Sequence, residues 1–252
     1  MYTDIHCHLL PGVDDGVKTW EDSRACLEIA VREKVSAILV TPHIWPGKYP
    51  NTPENLLAAF TAWKERARGL GLELHLGSEV YFQGVPAEDY AHGKFRAMGD
   101  TGRYLLVELP LLLMPRGVAE RFYELRLRGA EPILAHPERY PYVARDPGRL
   151  EALASAGIPF QVTTHSVAGL FGGAIQNAAF ELMERGWVHV LASDAHGPVN
   201  RAPMFREAVR VVANRYGKEA ARLLCVENPR RVVAGEALLP VPCERVRRRF
   251  WS

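Results

Sequence analysis

The stretch Thr3-Asp4-Ile5-His6-Cys7-His8-Leu9 decides the fold that we predict for this chain. It is a short run near the amino terminus with apolar residues at Ile5, Cys7 and Leu9, and we predict a β-strand that is covered on both faces. Because side chains alternate along a strand, His6 and His8 point to one side and their neighbours point to the other, into packing. These neighbours are Ile5, Cys7 and Leu9. Two imidazoles at this spacing can bind one metal ion.

Runs of the same kind recur at intervals of about 25 to 35 residues, and segments with helical periodicity separate them. Seven runs are predicted as strands: Thr3–Leu9, Ser36–Thr41, Leu72–Glu79, Tyr104–Leu109, Pro132–His136, Ile158–Thr163 and Trp187–Ser193. Thr19 and Thr52 stand where helix caps are expected, and Gly186 stands where a helix ends. The alternation predicts an α/β fold, a barrel of parallel strands within a layer of helices. We expect one domain over residues 1–240 and a basic tail over residues 241–252.

The composition argues against several classes of protein. The chain has 252 residues, 48% of them hydrophobic, without an apolar run near the roughly 20 residues of a membrane-spanning helix. Its net charge of +2 gives no electrostatic reason to expect nucleic acid or an anionic membrane as the partner. The four cysteines are far apart, and the first residues do not resemble a signal peptide. We therefore expect neither a disulfide framework nor a thiolate zinc site, and a cytoplasmic location.

Imidazole and carboxylate side chains stand in or just after the predicted strands. They are His6, His8, His43, Glu79, Glu108, His136, Asp194 and His196. The carboxyl ends of parallel strands meet at the mouth of a βα barrel, so we expect these residues to converge although they are distant in sequence. Asp14-Asp15-Gly16 follows the first strand and can be a tight turn, a source of acidic ligands, or both.

The number and the type of these donors predict more than one metal ion. Imidazole and carboxylate without thiolate suit zinc, manganese or iron, and about nine donors exceed what one tetrahedral ion uses. Two or three neighbouring ions can clamp a phosphate and generate hydroxide from water near neutral pH. The chemistry that we predict from the residues is therefore phosphoester hydrolysis.

Six motifs, in this order along the chain, resemble those of the polymerase and histidinol phosphatase (PHP) superfamily. They are Asp4-Ile5-His6-Cys7-His8, Asp14-Asp15-Gly16, Thr41-Pro42-His43, Gly77-Ser78-Glu79, His136-Pro137-Glu138-Arg139-Tyr140 and Ser193-Asp194-Ala195-His196. More narrowly, they resemble the branch of bacterial manganese-dependent protein-tyrosine phosphatases associated with capsule and exopolysaccharide production. The superfamily often has His at the positions of Asp15 and Glu108, whereas carboxylates there are a feature of this branch.

The resemblance implies a distorted, TIM-like (β/α)7 barrel that holds three divalent metal ions. Manganese is the metal that it implies first, and zinc, iron and cobalt are alternatives. It implies one ion on His6, His8, Glu79 and Asp194, a second on Glu79, Glu108 and His136, and a third on Asp15, His43 and His196. In this branch, arginines at the places of Arg139 and Arg201 bind the substrate phosphate. Both are therefore expected to act in substrate binding and catalysis, with a metal-bound hydroxide as the nucleophile.

The function that the resemblance implies is a protein-tyrosine phosphatase whose partner is a phosphotyrosine protein, namely a bacterial tyrosine kinase that governs polysaccharide export. Two alternatives stay open. One is a phosphatase for histidinol phosphate or another small molecule, which the same metal cluster could serve. The other is a metal-bearing binding module or an exonuclease-like module, since the superfamily also accompanies DNA polymerases. The near-neutral charge argues against nucleic acid, and the complete donor set argues against lost catalysis.

Four further features are weaker candidates for function. Cys7 is predicted to pack, because neither Cys7 nor Cys26 begins the glycine-rich Cys-x5-Arg loop of thiol-based tyrosine phosphatases. His165 follows the sixth predicted strand and is a candidate to support a metal ligand. The glycine-rich segment 169–173 is predicted to be a rim loop rather than an anion site, and Arg245–Trp251 a solvated terminus.

Overall fold

The structure, a computed structural model that describes residues 1–83, 86–99 and 101–245, consists of parallel strands and surrounding helices. The strands are β1 (Tyr2–Asp4), β2 (Val35–Val40), β3 (His43–Ile44), β4 (Glu73–Leu76), β5 (Glu79–Tyr81), β6 (Tyr104–Glu108), β7 (Glu131–Ala135), β8 (Phe160–Thr163) and β9 (Val188–Ala192). The α-helices are α1 (Trp20–Arg32), α2 (Pro53–Arg66), α3 (Ala87–Ala91), α4 (Val118–Leu127), α5 (Pro141–Arg145), α6 (Glu151–Ser155), α7 (Thr164–Val167), α8 (Gly173–Glu184), α9 (Arg206–Tyr216), α10 (Lys218–Arg222) and α11 (Asn228–Ala234). Two 3-10 helices (Pro137–Arg139 and Pro147–Leu150) and a π-helical turn (Leu223–Glu227) complete these elements.

Two parallel sheets share the strands, in the orders β1-β2-β4 and β3-β5-β6-β7-β8-β9. β2 continues into β3 across Thr41-Pro42, and β4 continues into β5 across Gly77-Ser78. Eight of the nine strands of the described residues fall on the seven predicted runs, of which Leu72–Glu79 is interrupted, whereas β3 lies beyond the end of the predicted run Ser36–Thr41. A Cβ at Gly77 would lie 2.9 Å from a Leu39 methyl group and 3.1 Å from Met98 Cα, so a side chain at the interruption between β4 and β5 would crowd its neighbours.

Hydrogen bonds outside the ladders bring the two ends of this strand system together. The Asp194 N–H donates to His6 O and the His8 N–H donates to Ala195 O, both at 2.8 Å. The segment after β1 thus lies against the segment after β9. The α/β fold and the distorted, TIM-like barrel that we predicted are confirmed, although the ladders do not form one continuous closed sheet in the described residues.

The first predicted strand is shorter than expected. β1 ends at Asp4, whose carboxylate accepts a hydrogen bond from Ser193 N at 2.9 Å, and beyond it the Cys7 N–H donates to the Thr41 hydroxyl. The strict alternation that we predicted for this run therefore fails at its start. Ile5 packs inside the barrel, whereas Cys7 and Leu9 belong to the core on the helix side.

The described residues form two hydrophobic cores, and the smaller one fills the inside of the barrel. It contains residues of β2, β6, β7 and β9, which can meet only because the sheets curl around them. Because side chains alternate along a strand, Glu108 follows the buried Tyr104 and Leu106 on the same face of β6. In the same way, Asp194 follows Val190 at the end of β9. Each fully buried aliphatic side chain contributes about 2 kcal/mol through burial. The same periodicity that builds this core therefore places carboxylates at its carboxyl-terminal end.

The helix starts that we predicted are confirmed for α1 and α2. Thr19 caps α1 by accepting a hydrogen bond from Asp22 N at 3.1 Å, and Thr52 forms a capping box with Asn55. In the described residues, the helices are too short or too polar to cross a membrane. Of the predicted tail, Val241 and Cys243 pack against the larger core, and residues 246–252 lie outside the described residues.

Candidate metal centre

The nine predicted donors lie together at the carboxyl ends of the strands. Their ligand atoms form four overlapping groups, and within each group the atoms lie within 4.8 Å of one another. The groups are His6, His8 and Asp194; His6, Glu79 and His136; His43, Glu79 and Glu108; and His8, Asp15, His43 and His196. This grouping overlaps the partition that the resemblance implies without matching it one for one, because Glu108 lies near His43 as well as near His136.

Glu79, the first residue of β5, lies at the centre of the cluster and is 1% exposed. Its Oε2 is 3.2 Å from His6 Nε2 and 3.1 Å from His8 Nε2, and its Oε1 is 3.1 Å from His136 Nε2. Burial alone would raise its pKa, but the His6 and His43 imidazoles hold the pKa of Glu79 well below its usual range. Glu79 is thus an anion whose two oxygens can serve two neighbouring ions.

The surroundings of Glu108, the last residue of β6, show whether divalent cations fit this cluster. Burial, with the charges of Glu79 and Asp194, raises the pKa of Glu108 to about 9. Its buried Oε2 has no hydrogen-bond partner among the described residues and lies 3.9 Å from His43 Nδ1. A divalent cation would neutralise the crowded carboxylates and use the unpaired oxygen. The donor set therefore fits a cluster of divalent ions.

Two of the donors have left-handed backbone conformations, with φ of 32° at His136 and 50° at Asp194. On β7, Ile133 packs inside the barrel and Leu134 packs outside, so simple alternation would turn His136 outward. The left-handed turn directs it to the mouth instead. This conformation costs a residue with a side chain about 1 to 2 kcal/mol. Backbone hydrogen bonds of these two residues hold it: the Asp194 N–H donates to His6 O at 2.8 Å, and His136 O accepts from Arg139 N at 3.0 Å.

The two aspartates of Asp14-Asp15-Gly16 have different roles. Asp15 is 42% exposed and its Oδ1 lies 3.4 Å from His43 Nε2 and 3.6 Å from His196 Nε2. Asp14 is buried, and its Oδ2 accepts hydrogen bonds from His8 Nδ1 at 2.7 Å and from His43 N at 3.0 Å. Burial opposes the charge, but the His8 imidazole lowers the pKa of Asp14 to about 2. Asp14 thus orients two donors rather than being one.

Gly16 allows this loop to lie directly on the first segment. A Cβ at Gly16 would lie 2.0 Å from His8 O and 2.5 Å from His8 Cβ, which a side chain cannot occupy. The Gly16 N–H also donates to Asp14 Oδ1 at 3.0 Å. The close approach of these two backbones therefore fixes both aspartates over the cluster.

Gln161, on β8, supports the cluster from the opposite side to Asp14. Its Oε1 lies 2.8 Å from His6 Nδ1 and accepts that N–H. With Asp14 accepting from His8 Nδ1, both imidazoles have their Nε2 lone pairs directed toward the same point, where the two Nε2 atoms are 3.2 Å apart. Neither role is predicted from the sequence: adjacency to Asp15 is a signal for Asp14, whereas a glutamine within a buried strand gives none.

Arg139 and Arg201 lie beside the cluster, and both guanidinium groups bond to Asp194 Oδ2. Burial opposes the charge of Asp194, but Arg201 first and then His6 and Arg139 hold its pKa well below the usual range. The Arg139 guanidinium lies 5.5 Å from the centre of the Phe171 ring, which supports it from the segment before α8. Two cations at the mouth favour an anionic ligand there.

The weaker candidates stay outside the cluster. The Cys7 Sγ lies 3.8 Å from Leu39 O, and burial raises the pKa of the Cys7 thiol well above its usual value, so this residue packs as predicted. The His165 ring stacks on Phe171 at 5.5 Å rather than on a donor. Arg245, within the predicted tail, forms an ion pair with Glu184 at 2.8 Å.

A distorted α/β barrel whose mouth gathers imidazoles, carboxylates and two arginines defines a class, the metal-dependent hydrolases of the PHP type. The family can be named as well. A family model described as "Capsular polysaccharide synthesis, CpsB/CapC" matches residues 2–234, and the chain belongs to this family. The resemblance that we found in the six motifs is thereby confirmed.

Relatives of the chain are described as tyrosine phosphatases. This chain is 34% identical over 248 residues to the tyrosine-protein phosphatase YwqE of Bacillus subtilis. The alignment covers 98% of this chain and 97% of the relative. The chain is 29% identical over 242 residues to the tyrosine-protein phosphatase CpsB of Streptococcus pneumoniae, covering 93% and 99%.

A solved structure from a study of YwqE and CpsB, described there as unique metal-dependent tyrosine phosphatases, superposes with a TM-score of 0.90. It shares 33% identity and covers 98% of this chain and 100% of its own. The lactonase Lmo2620 of Listeria monocytogenes superposes with a TM-score of 0.59 at 10% identity, over 92% of this chain and 94% of its own. That second likeness shows the fold alone.

Proposed function

We propose that the protein is a metal-dependent protein-tyrosine phosphatase, a phosphoric monoester hydrolase that acts on phosphotyrosine in proteins. The observation that carries this proposal is the position of two guanidinium groups, Arg139 and Arg201, directly beside a buried cluster of nine imidazole and carboxylate donors. Membership of the CpsB/CapC family and the relatives named tyrosine phosphatases support the choice of substrate.

The nine donors would hold three divalent ions, and we propose manganese. The residues that would hold them are His6, His8, Asp15, His43, Glu79, Glu108, His136, Asp194 and His196. When bound, such ions supply Lewis acidity and lower the pKa of water enough to make it a nucleophile near neutral pH. Oxygen and nitrogen ligands of this kind accept several divalent metals, so metal availability contributes to the choice.

Arg139 and Arg201 would bind and orient the phosphate. Both are about three-quarters covered and both now bond to a single oxygen of Asp194, which leaves further N–H donors on each planar guanidinium. Donors fixed beside the cluster stabilise charge that develops on the phosphate oxygens during its displacement. Asp14 and Gln161 contribute indirectly, because they hold His8 and His6 with Nε2 toward the cluster.

The physiological substrate in this proposal is the phosphorylated form of a bacterial tyrosine kinase that governs capsule or exopolysaccharide export. The carboxylates Asp15 and Glu108 support the tyrosine phosphatase branch rather than histidinol phosphatases. We also propose a cytoplasmic location. The four cysteines are buried and free of disulfides, which suits a reducing compartment.

A comparison of substrates tests the proposed function. A phosphotyrosine peptide, histidinol phosphate and a single-stranded oligonucleotide are offered to the protein with Mn²⁺, and again after the metal is removed by a chelator. We expect metal-dependent hydrolysis with a strong preference for the peptide. Preference for histidinol phosphate would be consistent with the metal centre, but it would show that the substrate is a small molecule and not a phosphotyrosine protein. Equal turnover with and without chelator would contradict the metal centre itself.

A further inference from the structure

Aromatic side chains form a second layer above one side of the metal cluster. β3 pairs with β5 so that His43 lies opposite Glu79. Trp45 and Tyr81 follow these two donors by two residues, on the same face and one step closer to the mouth. Their rings stack at 3.7 Å between centroids with an interplanar angle of 11°. The pair therefore lies directly beside the donors His43 and Glu79, at one wall of the mouth.

A tight turn holds the layer in place. Trp45 and Tyr49 exchange backbone hydrogen bonds of 2.9 and 2.8 Å, and Pro46-Gly47 closes the turn between them with φ of 85° at Gly47. Tyr49 stacks on the His43 imidazole at 5.5 Å and meets Trp45 edge to face at 6.1 Å. The aromatic layer of Trp45, Tyr49 and Tyr81 is therefore continuous with a candidate metal ligand and needs little ordering to bind a ligand.

Both faces of the Trp45 ring are covered, but the group on one of them is an exposed, flexible side chain. Tyr81 covers one face at 3.7 Å, and the Lys48 ammonium lies 4.2 Å from the ring centre, so it occupies the other face. Lys48 is exposed, and its solvated, flexible stem can move aside at little cost. On the side of Arg201, the mouth opens into a groove of about 510 Å³ that Asp15, His196 and Arg201 line together with apolar residues such as Val17 and Val199.

We propose that the aromatic layer is the subsite for the phenyl ring of the phosphotyrosine, and that Trp45 selects aryl over alkyl phosphates. This proposal rests on the function proposed above, and it identifies the aromatic layer as the part of the site that selects the substrate. The arginines lie by Asp194 and the rings lie by His43, so phosphate and phenyl ring are recognised by different walls of one mouth. Aromatic stacking of this kind strengthens binding by about three- to tenfold beyond simple burial.

Two inert ligands test this subsite without turnover. Benzylphosphonate resembles phenyl phosphate with CH₂ in place of the bridging oxygen, and methylphosphonate lacks the ring. Dissociation constants for both are measured by calorimetry on the Mn²⁺-loaded full chain. The readout is the ratio of the two constants. We expect the wild type to favour benzylphosphonate and Trp45→Ala to reduce that preference about three- to tenfold, with little change for methylphosphonate.

Three variants make the result decisive. Trp45→Leu keeps apolar packing in case Trp45→Ala does not fold, and should lose the preference as well, whereas Trp45→Phe should keep most of it. Trp20→Ala is the matched control, since Trp20 also packs under a cation, Arg66 at 4.5 Å, but lies on α1. An unchanged ratio in Trp45→Leu would overturn the subsite and leave the phosphatase proposal standing. If neither phosphonate binds the wild type, the phosphate site fails and the subsite fails with it.

Discussion

Replacement of Asp14 by Asn should weaken metal binding although Asp14 is not itself expected to bind metal. Its Oδ2 accepts a buried hydrogen bond of 2.7 Å from His8 Nδ1 and another from His43 N. A hydrogen bond to a charged group is worth about 1.5 to 3 kcal/mol, and loss of a support behind a metal-binding imidazole costs about 10- to 100-fold in affinity. Asn keeps the shape and one acceptor oxygen, so we expect a loss nearer to tenfold, about 1.4 kcal/mol.

The assay for Asp14→Asn is a Mn²⁺ titration, followed by calorimetry and by turnover of a phosphotyrosine peptide at each metal concentration. We expect the midpoint for Mn²⁺ to rise about tenfold and saturating metal to restore most of the turnover. Asp146→Asn is the control, because Asp146 is an exposed aspartate that caps a 3-10 helix. A midpoint equal to that of the wild type would refute the reasoning that Asp14 acts through His8.

Three further predictions concern the loop over the cluster, the donors and acid stability. Gly16→Ala places a Cβ 2.0 Å from His8 O, so metal affinity and turnover should fall at least about tenfold, whereas Gly173→Ala, in open space, should change neither. Mn²⁺ at a hundred times its dissociation constant should raise the melting temperature by roughly 5 to 10 °C in calorimetry, and a similar rise in Glu79→Gln would contradict the central position of Glu79. Arg245 and then Arg215 lower the pKa of Glu184 to about 2, below its usual 4.5. Glu184 therefore stabilises the fold above about pH 4.5 and loses this effect as the pH falls toward 2, so the unfolding free energy of Glu184→Gln in urea should approach that of the wild type on acidification.

The convergence of the donors could be predicted from the sequence, because it depends on a general property of parallel strands. Once Glu108 and Asp194 are placed at the ends of two apolar runs, both must lie at the same mouth. The six motifs, in their order along the chain, also identified the superfamily. The breaks after β2 and β4 could not be predicted in the same way, since a run such as Leu72–Glu79 reads as continuous.

The supports and walls of the site depend on contacts that the sequence does not display. The role of Gln161 depends on β8 lying opposite the segment after β1, and its residue type does not distinguish it from any buried glutamine. The Trp45–Tyr81 stack depends on the register between β3 and β5, and β3 itself was not predicted. The orientation of His136 depends on a single left-handed φ, which breaks the alternation used in prediction.

The most direct test of the central claim is to measure bound metal and turnover together in His136→Ala and in His92→Ala. His136 is 2% exposed and lies 3.1 Å from Glu79, whereas His92 is exposed beyond the end of α3. After loading with Mn²⁺, we expect His136→Ala to contain less metal than the wild type, and its turnover of a phosphotyrosine peptide to fall at least about a hundredfold. His92→Ala should behave as the wild type in both measurements. Full metal content and full turnover in His136→Ala would contradict the assignment of the strand ends as the catalytic metal centre.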